Sequence, residues 1–176
     1  MNSLKDNLPQ KSLDALKSAK EDLEKNGINT KQKSKKKRIT IPAPIEVGNI
    51  YKIEADERNG ITPPPGRKTW FKHFAVMGIA DDGSLMGCVV FDSKMNRDYI
   101  GPGNEEFYIP ISKGKYSFLD HDSFLECIKL KPATLANIRQ GKAEGKLTNE
   151  DMEKALELTK KSNRNSIVVL NMYNIK

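Results

Sequence analysis

From Ile41 onward, short apolar runs are separated by clusters of turn-forming residues, the spacing of a β-rich domain. VGNIYKIEA (47–55) predicts a strand. ERNGITPPPGRKT (57–69) predicts a loop, because three consecutive prolines cannot donate to a ladder. KHFAVMGIA (72–80) and LMGCVVFD (85–92) predict two strands, with DDGS (81–84) as the hairpin turn between them. SKMNRDYIGPGNE (93–105) predicts a second loop, EFYIPIS (106–112) a short strand, KGK a turn and SFLECIKL (123–130) another strand.

The period then changes. KPATLANIRQG (131–141) predicts a short helix with Pro132 in its first turn. LTNEDMEKALELTKKS predicts a longer helix, with Thr148 as N-cap and Asp151 in the place of a capping-box acid. Its inward stripe is Met152, Ala155, Leu156 and Thr159. The β-rich SIVVLNMYNI (166–175) predicts a final strand. Upstream, QKSLDALKSAKEDLEKN (10–26) predicts a helix on the stripe Leu13, Leu16, Ala19 and Leu23, capped by Ser12 and stopped by Gly27. INTKQKSKKKRI (28–39) follows as a charged linker.

No helix separates the middle strands, which argues against a parallel α/β sheet. The expected fold is α+β and mainly β: a small, strongly curved barrel with a C-terminal helix and an N-terminal helical arm. The arm and its linker take residues 1–40, and the barrel domain takes residues 41–176.

Charge sharpens that division. Of the net +7, residues 1–40 carry +6, from ten Lys and one Arg against five acidic residues. A basic arm on a near-neutral body suits a polyanion such as nucleic acid, and equally a solubilising tail. Cys88 and Cys127 each lie in an apolar run and read as buried free thiols. No window has the length and hydropathy of a membrane span, and MNSLKDNLPQ has no apolar signal region. A cytoplasmic protein with no membrane partner is expected.

Familiar catalytic signatures are missing. The chain has no phosphate loop, no dinucleotide fingerprint and no nucleophile elbow. His73 and His121 are the only histidines and have no metal-ligand spacing, so neither a metal nor another cofactor is expected. The chemistry is left to polar residues at strand ends. Alternation places Lys72 with Phe74, Val76 and Gly78, and His73 with Ala75, Met77 and Ile79, so the two side chains diverge. Pro110 places the 106–112 strand at an edge or close to its end, which leaves the Ser112 hydroxyl free to reach a ligand.

The order of these motifs resembles the MazF/PemK-like toxin endoribonucleases of toxin–antitoxin systems. Gly48-Asn49-Ile50-Tyr51 is similar to the family's opening strand. Lys72 heads the apolar strand His73-Phe74-Ala75-Val76-Met77, Pro110-Ile111-Ser112 resembles a Pro-Ile-Thr strand end, and Asp122-Ser123-Phe124-Leu125 resembles an Asp-Ser strand entry. Gly145-Lys146-Leu147-Thr148-Asn149-Glu150 resembles the entry to the family's helix. The likeness spans about residues 46–162.

The resemblance implies an SH3-like barrel, usually homodimeric, that cuts single-stranded RNA without metal. It also implies a cleft open to an antitoxin, which is RNA in some members of the fold family. Ser112 takes the role of the hydroxyl that assists at the phosphate. The family's phosphate-handling Arg falls on Lys72, on His73 after a one-residue slip, or on Arg67. Lysine is a point charge without the guanidinium fork, so the usual site is not fully reproduced.

For 2′-OH attack, His73 is the best proton acceptor by type, Lys72 a charge stabiliser and Ser112 a hydrogen-bond donor to a phosphate oxygen. His121 can supply the second proton function. The expected products are a 2′,3′-cyclic phosphate and a 5′-hydroxyl. Arg67, Lys68 and Trp70 in the first loop, and Lys113, His121 and Ser123 around the later turn, are the candidate RNA contacts. Trp70 is offered as a base-stacking ring. Each residue also has a plainer role as a strand-end or turn residue. A module of the same fold that binds nucleic acid or protein without cutting is the competing expectation.

Overall fold

DDGS forms the turn of a central antiparallel hairpin, with Gly83 at a left-handed φ of 67°. The hairpin is β2 (Trp70–Ile79) and β3 (Leu85–Asp92). The computed structural model describes residues 43–95 and 101–176, which fall in one unit, Pro42–Lys176. The helix expected over 10–26, the linker over 28–39 and residues 96–100 of the second loop lie outside the described residues.

Four further strands complete the sheet: β1 (Asn49–Ala55), β4 (Tyr108–Ile111), β5 (Ser123–Thr134) and β6 (Lys142–Lys146). All pairings are antiparallel, in the order β4-β5-β3-β2-β1-β6, and the sheet curls into a half-barrel. Pro110 indeed sits on an edge strand, where its missing N–H costs no ladder bond. Register shifts at Ile50/Tyr51, Val76/Gly78 and Cys88/Val90 add the local twist that curling requires.

Both faces of the sheet are buried, and alternation along β2 sorts them. Phe74 and Val76 pack with Ile53, Ile61, Cys88 and Val90 on one face. Ala75 and Met77 pack with Val89, Phe91, Leu125 and Ala155 on the other. This explains why β2 and β3 are continuously apolar rather than alternating. Cys88 and Cys127 are free and buried, and burial pushes both thiols up.

The helices correct three expectations. β5 runs on through Lys131, Pro132 and Ala133, so Pro132 belongs to a strand. The short helix α1 (Leu135–Gln140) starts only at the Thr134 cap, whose hydroxyl accepts from the Asn137 N–H. The longer helix α2 (Asn149–Lys161) has its expected Thr148 cap, but Asp151 does not close a capping box. Its carboxylate instead accepts from the Tyr116 hydroxyl at 2.5 Å and Lys115 Nζ at 2.7 Å.

The third correction is SIVVLNMYNI, which is a helix, α3 (Ile167–Met172), followed by a turn. Ser166 caps it by accepting from the Val169 N–H, while Ile167 and Val168 face solvent. The reason is tertiary. Asn165 anchors the preceding turn by accepting from Leu130 N–H and donating to the Thr159 carbonyl, each at 2.9 Å. Leu170, Tyr173 and Ile175 then seal the sheet, and Tyr173 lies on Gly78 and Gly87, where any side chain would collide with it.

Candidate functional site

The start of β2 carries chemistry on both faces of the sheet. Lys72 and His73 diverge as alternation requires, and each finds a different environment.

On the His73 side, Lys52 of β1 stands directly across the ladder, and Phe91 of β3 is its other neighbour. The imidazole stacks on Phe118, with ring centroids 4.4 Å apart and planes 26° apart. Phe118 in turn packs on Phe91 and Tyr116. Burial, then the charge of Lys52, holds the His73 pKa below the ordinary 6.5; Lys142 and Lys72 push the same way and Glu144 opposes them. The ring is therefore a neutral base at neutral pH, set among cations. Phe71, on the same face, is 59% exposed, and Lys52 Nζ lies 5.9 Å from its ring centroid. An exposed aromatic beside lysines is the arrangement that stacks an unpaired base and neutralises its phosphate.

On the Lys72 side lies a cleft of about 330 Å³. Lys72 is ion-paired to Asp92 and sits over the Trp70 ring, 4.0 Å from its centroid. Deeper in, Lys131 Nζ lies 3.1 Å from Glu126, and both side chains are almost fully buried. Burial raises the Glu126 pKa, and neighbouring Asp92 adds to this against the pull of Lys131.

Sequence reasoning missed Asp92, Glu126 and Lys131. Glu126 and Lys131 are five residues apart, so strict alternation would place them on opposite faces. In the structure, Val90 pairs with Glu126 and Cys88 with Lys131, so β5 takes five residues where β3 takes two. This irregularity turns both charges into the same cleft. The one visible signal was a carboxylate inside the apolar run SFLECIKL.

The remaining predicted residues lie in turns and at strand ends. Ser112 is exposed and opens the loop after β4, its carbonyl accepting from the Lys115 N–H at 3.1 Å. Lys113 is exposed, and its N–H donates to Asp122 at 2.7 Å. His121 is exposed and bound to Asp120. Ser123 is buried and donates to the His121 carbonyl at 3.3 Å, a turn bond. Arg67 and Lys68 are exposed in the proline loop.

β3 and β5 lie between β2 and β4, so Lys72 and Ser112 are not on neighbouring strands. The loop that Ser112 opens does return to His73, but through the Phe118 ring rather than the hydroxyl. Lys72 and His73 occupy opposite faces, so the structure brings together His73, Lys52, Phe71 and Phe118 in one place, and Lys72, Asp92, Trp70 and the buried pair in another. Among the described residues no group of acidic, His and Cys side chains forms a metal-binding cluster. No helix among them is long and apolar enough to cross a membrane.

In comparisons with known proteins, no family model and no curated protein matches the chain.

Proposed function

We propose that this unit binds single-stranded RNA at the Lys52–Phe71–His73 face and cleaves it by attack of a ribose 2′-OH on the adjacent phosphorus. The carrying observation is the neutral, half-buried His73 set among lysines beside an exposed aromatic. His73 takes the 2′-OH proton. The new P–O2′ bond displaces O5′, which leaves with a proton drawn from water. Lys52 and Lys142 offset the charge that develops on the phosphorane. The products are a 2′,3′-cyclic phosphate and a 5′-hydroxyl.

The order of motifs supports placing the half-barrel in the SH3-like class of MazF/PemK-like toxins. That reading brings a second copy of the chain and a protein or RNA antitoxin as partners, and a cytoplasmic setting. Light scattering on the purified protein tests the dimer.

The Lys72–Asp92 ion pair favours a second reading. It occupies one of the three residues on which the family's phosphate-handling Arg can fall, as in a module that binds RNA without cutting it. One experiment separates the two. A long end-labelled single-stranded RNA is incubated with the protein in excess chelator, and fragment ends are mapped. Cuts that vanish in folded His73→Ala support the enzyme, and binding without cuts supports the module. Neither cuts nor binding would remove both.

A further inference from the structure

The cleft on the Lys72 face has the makings of a ligand site that phosphate chemistry does not use. Its floor is Glu126, of which only 6% is exposed. Lys131 Nζ lies 3.1 Å from this carboxylate, and the buried Oε1 has no hydrogen-bond partner among the described residues. A buried acceptor left without a donor is costly, and a ligand N–H is what it lacks. The wall is Trp70, 37% exposed, with Lys72 over its ring. The volume, about 330 Å³, is at the small end of ligand pockets.

Charge narrows the class of ligand. Two lysines face two carboxylates, so a strongly cationic or anionic guest would meet a like charge wherever it sat. A neutral, flat ring with hydrogen-bonding edges meets none. The order of groups narrows it again: an ammonium stands directly beside a carboxylate. Guanine presents the complementary edge, a carbonyl acceptor at O6 followed by two donors at N1–H and N2–H. Adenine, cytosine and uracil each lack that run of two adjacent donors.

We propose that the Trp70–Glu126–Lys131 cleft is a guanine pocket. The base stacks on Trp70, N1–H and N2–H donate to Glu126, and O6 accepts from Lys131. Resting on the reading of the domain as RNA-binding, the pocket would hold one base of the bound strand on the sheet face opposite His73 and set a guanine preference there.

Trp70 is the only tryptophan in the chain, so its fluorescence reports this cleft directly. Purified full-length protein is titrated with the 5′-monophosphates of guanosine, inosine, adenosine, cytidine and uridine. The expected result is saturable quenching by the guanosine nucleotide. The inosine nucleotide, which lacks the 2-amino donor, binds about tenfold more weakly, the scale of one lost base-edge contact. Glu126→Gln lowers guanosine affinity by about tenfold or more, and the wild-type nucleotide series stands on its own if that variant fails to fold. Equal quenching by all five nucleotides, equal affinity for guanosine and inosine, or no saturable quenching overturns the proposal. Guanosine-selective quenching with RNA neither bound nor cut would sink the RNA reading and leave the pocket standing.

Discussion

Removing the Asp151 carboxylate is a sharp test of how the loop over the His73 face is held. Asp151 is 3% exposed and ties the 112–122 loop to the first turn of α2. It accepts from the Tyr116 hydroxyl at 2.5 Å and from Lys115 Nζ at 2.7 Å, while Tyr116 accepts from the Thr148 N–H at 3.1 Å. A hydrogen bond to a buried charge is worth about 1.5–3 kcal/mol. The Lys115 bond counts for less, about 1 kcal/mol or under, because a third of that side chain is in water. Asp151→Ala is therefore expected to cost about 2–4 kcal/mol, and Asp151→Asn about half of that, since the amide oxygen still accepts.

The assay is urea unfolding followed by circular dichroism, with the midpoint lowered and the slope unchanged. The pH dependence gives a second reading of the same interaction. Burial opposes ionisation of Asp151, but the Lys115 and Tyr116 hydrogen bonds outweigh it, and its pKa lies below the ordinary 3.8. The unfolded chain then binds the proton more readily. The contribution is full above about pH 4–5 and is lost as pH falls through the lowered native pKa. Wild type loses this increment in acid, and Asp151→Asn has none of it to lose. A cost under about 0.5 kcal/mol for Asp151→Ala, or identical acid limbs in wild type and Asp151→Asn, would refute the reasoning.

Other outcomes follow from the same geometry. If His73 is the base, cleavage is flat through neutral pH and falls only as pH drops below 6.5 towards its lowered pKa, and a pH–rate profile shows the acid limb. Lys131→Met leaves Glu126 buried without its cation and costs about 3–5 kcal/mol, whereas Lys131→Met with Glu126→Leu recovers most of this; urea midpoints of both variants check it. Gly78→Ala drives a methyl into the Tyr173 carbonyl and costs about 1–3 kcal/mol or displaces the C-terminal segment, seen as faster amide exchange on β2.

Local signals located the elements wherever the sequence around them agreed. The run 85–92 became β3 as read, because DDGS closes the turn and both faces of that strand are dry. Thr148 fixed the start of α2. Agreement failed where a distant partner decided. Ile167, Val168 and Val169 favour a strand by their branching, but Asn165 and the Ser166 cap commit them to a helix. Pro132 reads as a helix start, yet the pairing of Gly87 with Pro132 holds it in β5. β6 went unread because KAEGK has no apolar pattern and forms only by pairing with β1.

The candidate sites divide the same way. Alternation alone placed Lys72 and His73 on opposite faces, because a strand's side-chain period is two and does not depend on context. It could not show that Phe118 would return to cover His73, since that contact spans forty-five residues and is made by the curl of the sheet. Nor could it pair Glu126 with Lys131, whose spacing of five is odd until an irregularity in β5 reverses it. The chain's order of residues therefore determined the strands, the turns and the direction of each strand-end side chain. Which of those side chains meet, which are buried and which cation is already occupied were decided by folding, because these depend on register and curvature that no short window of sequence encodes.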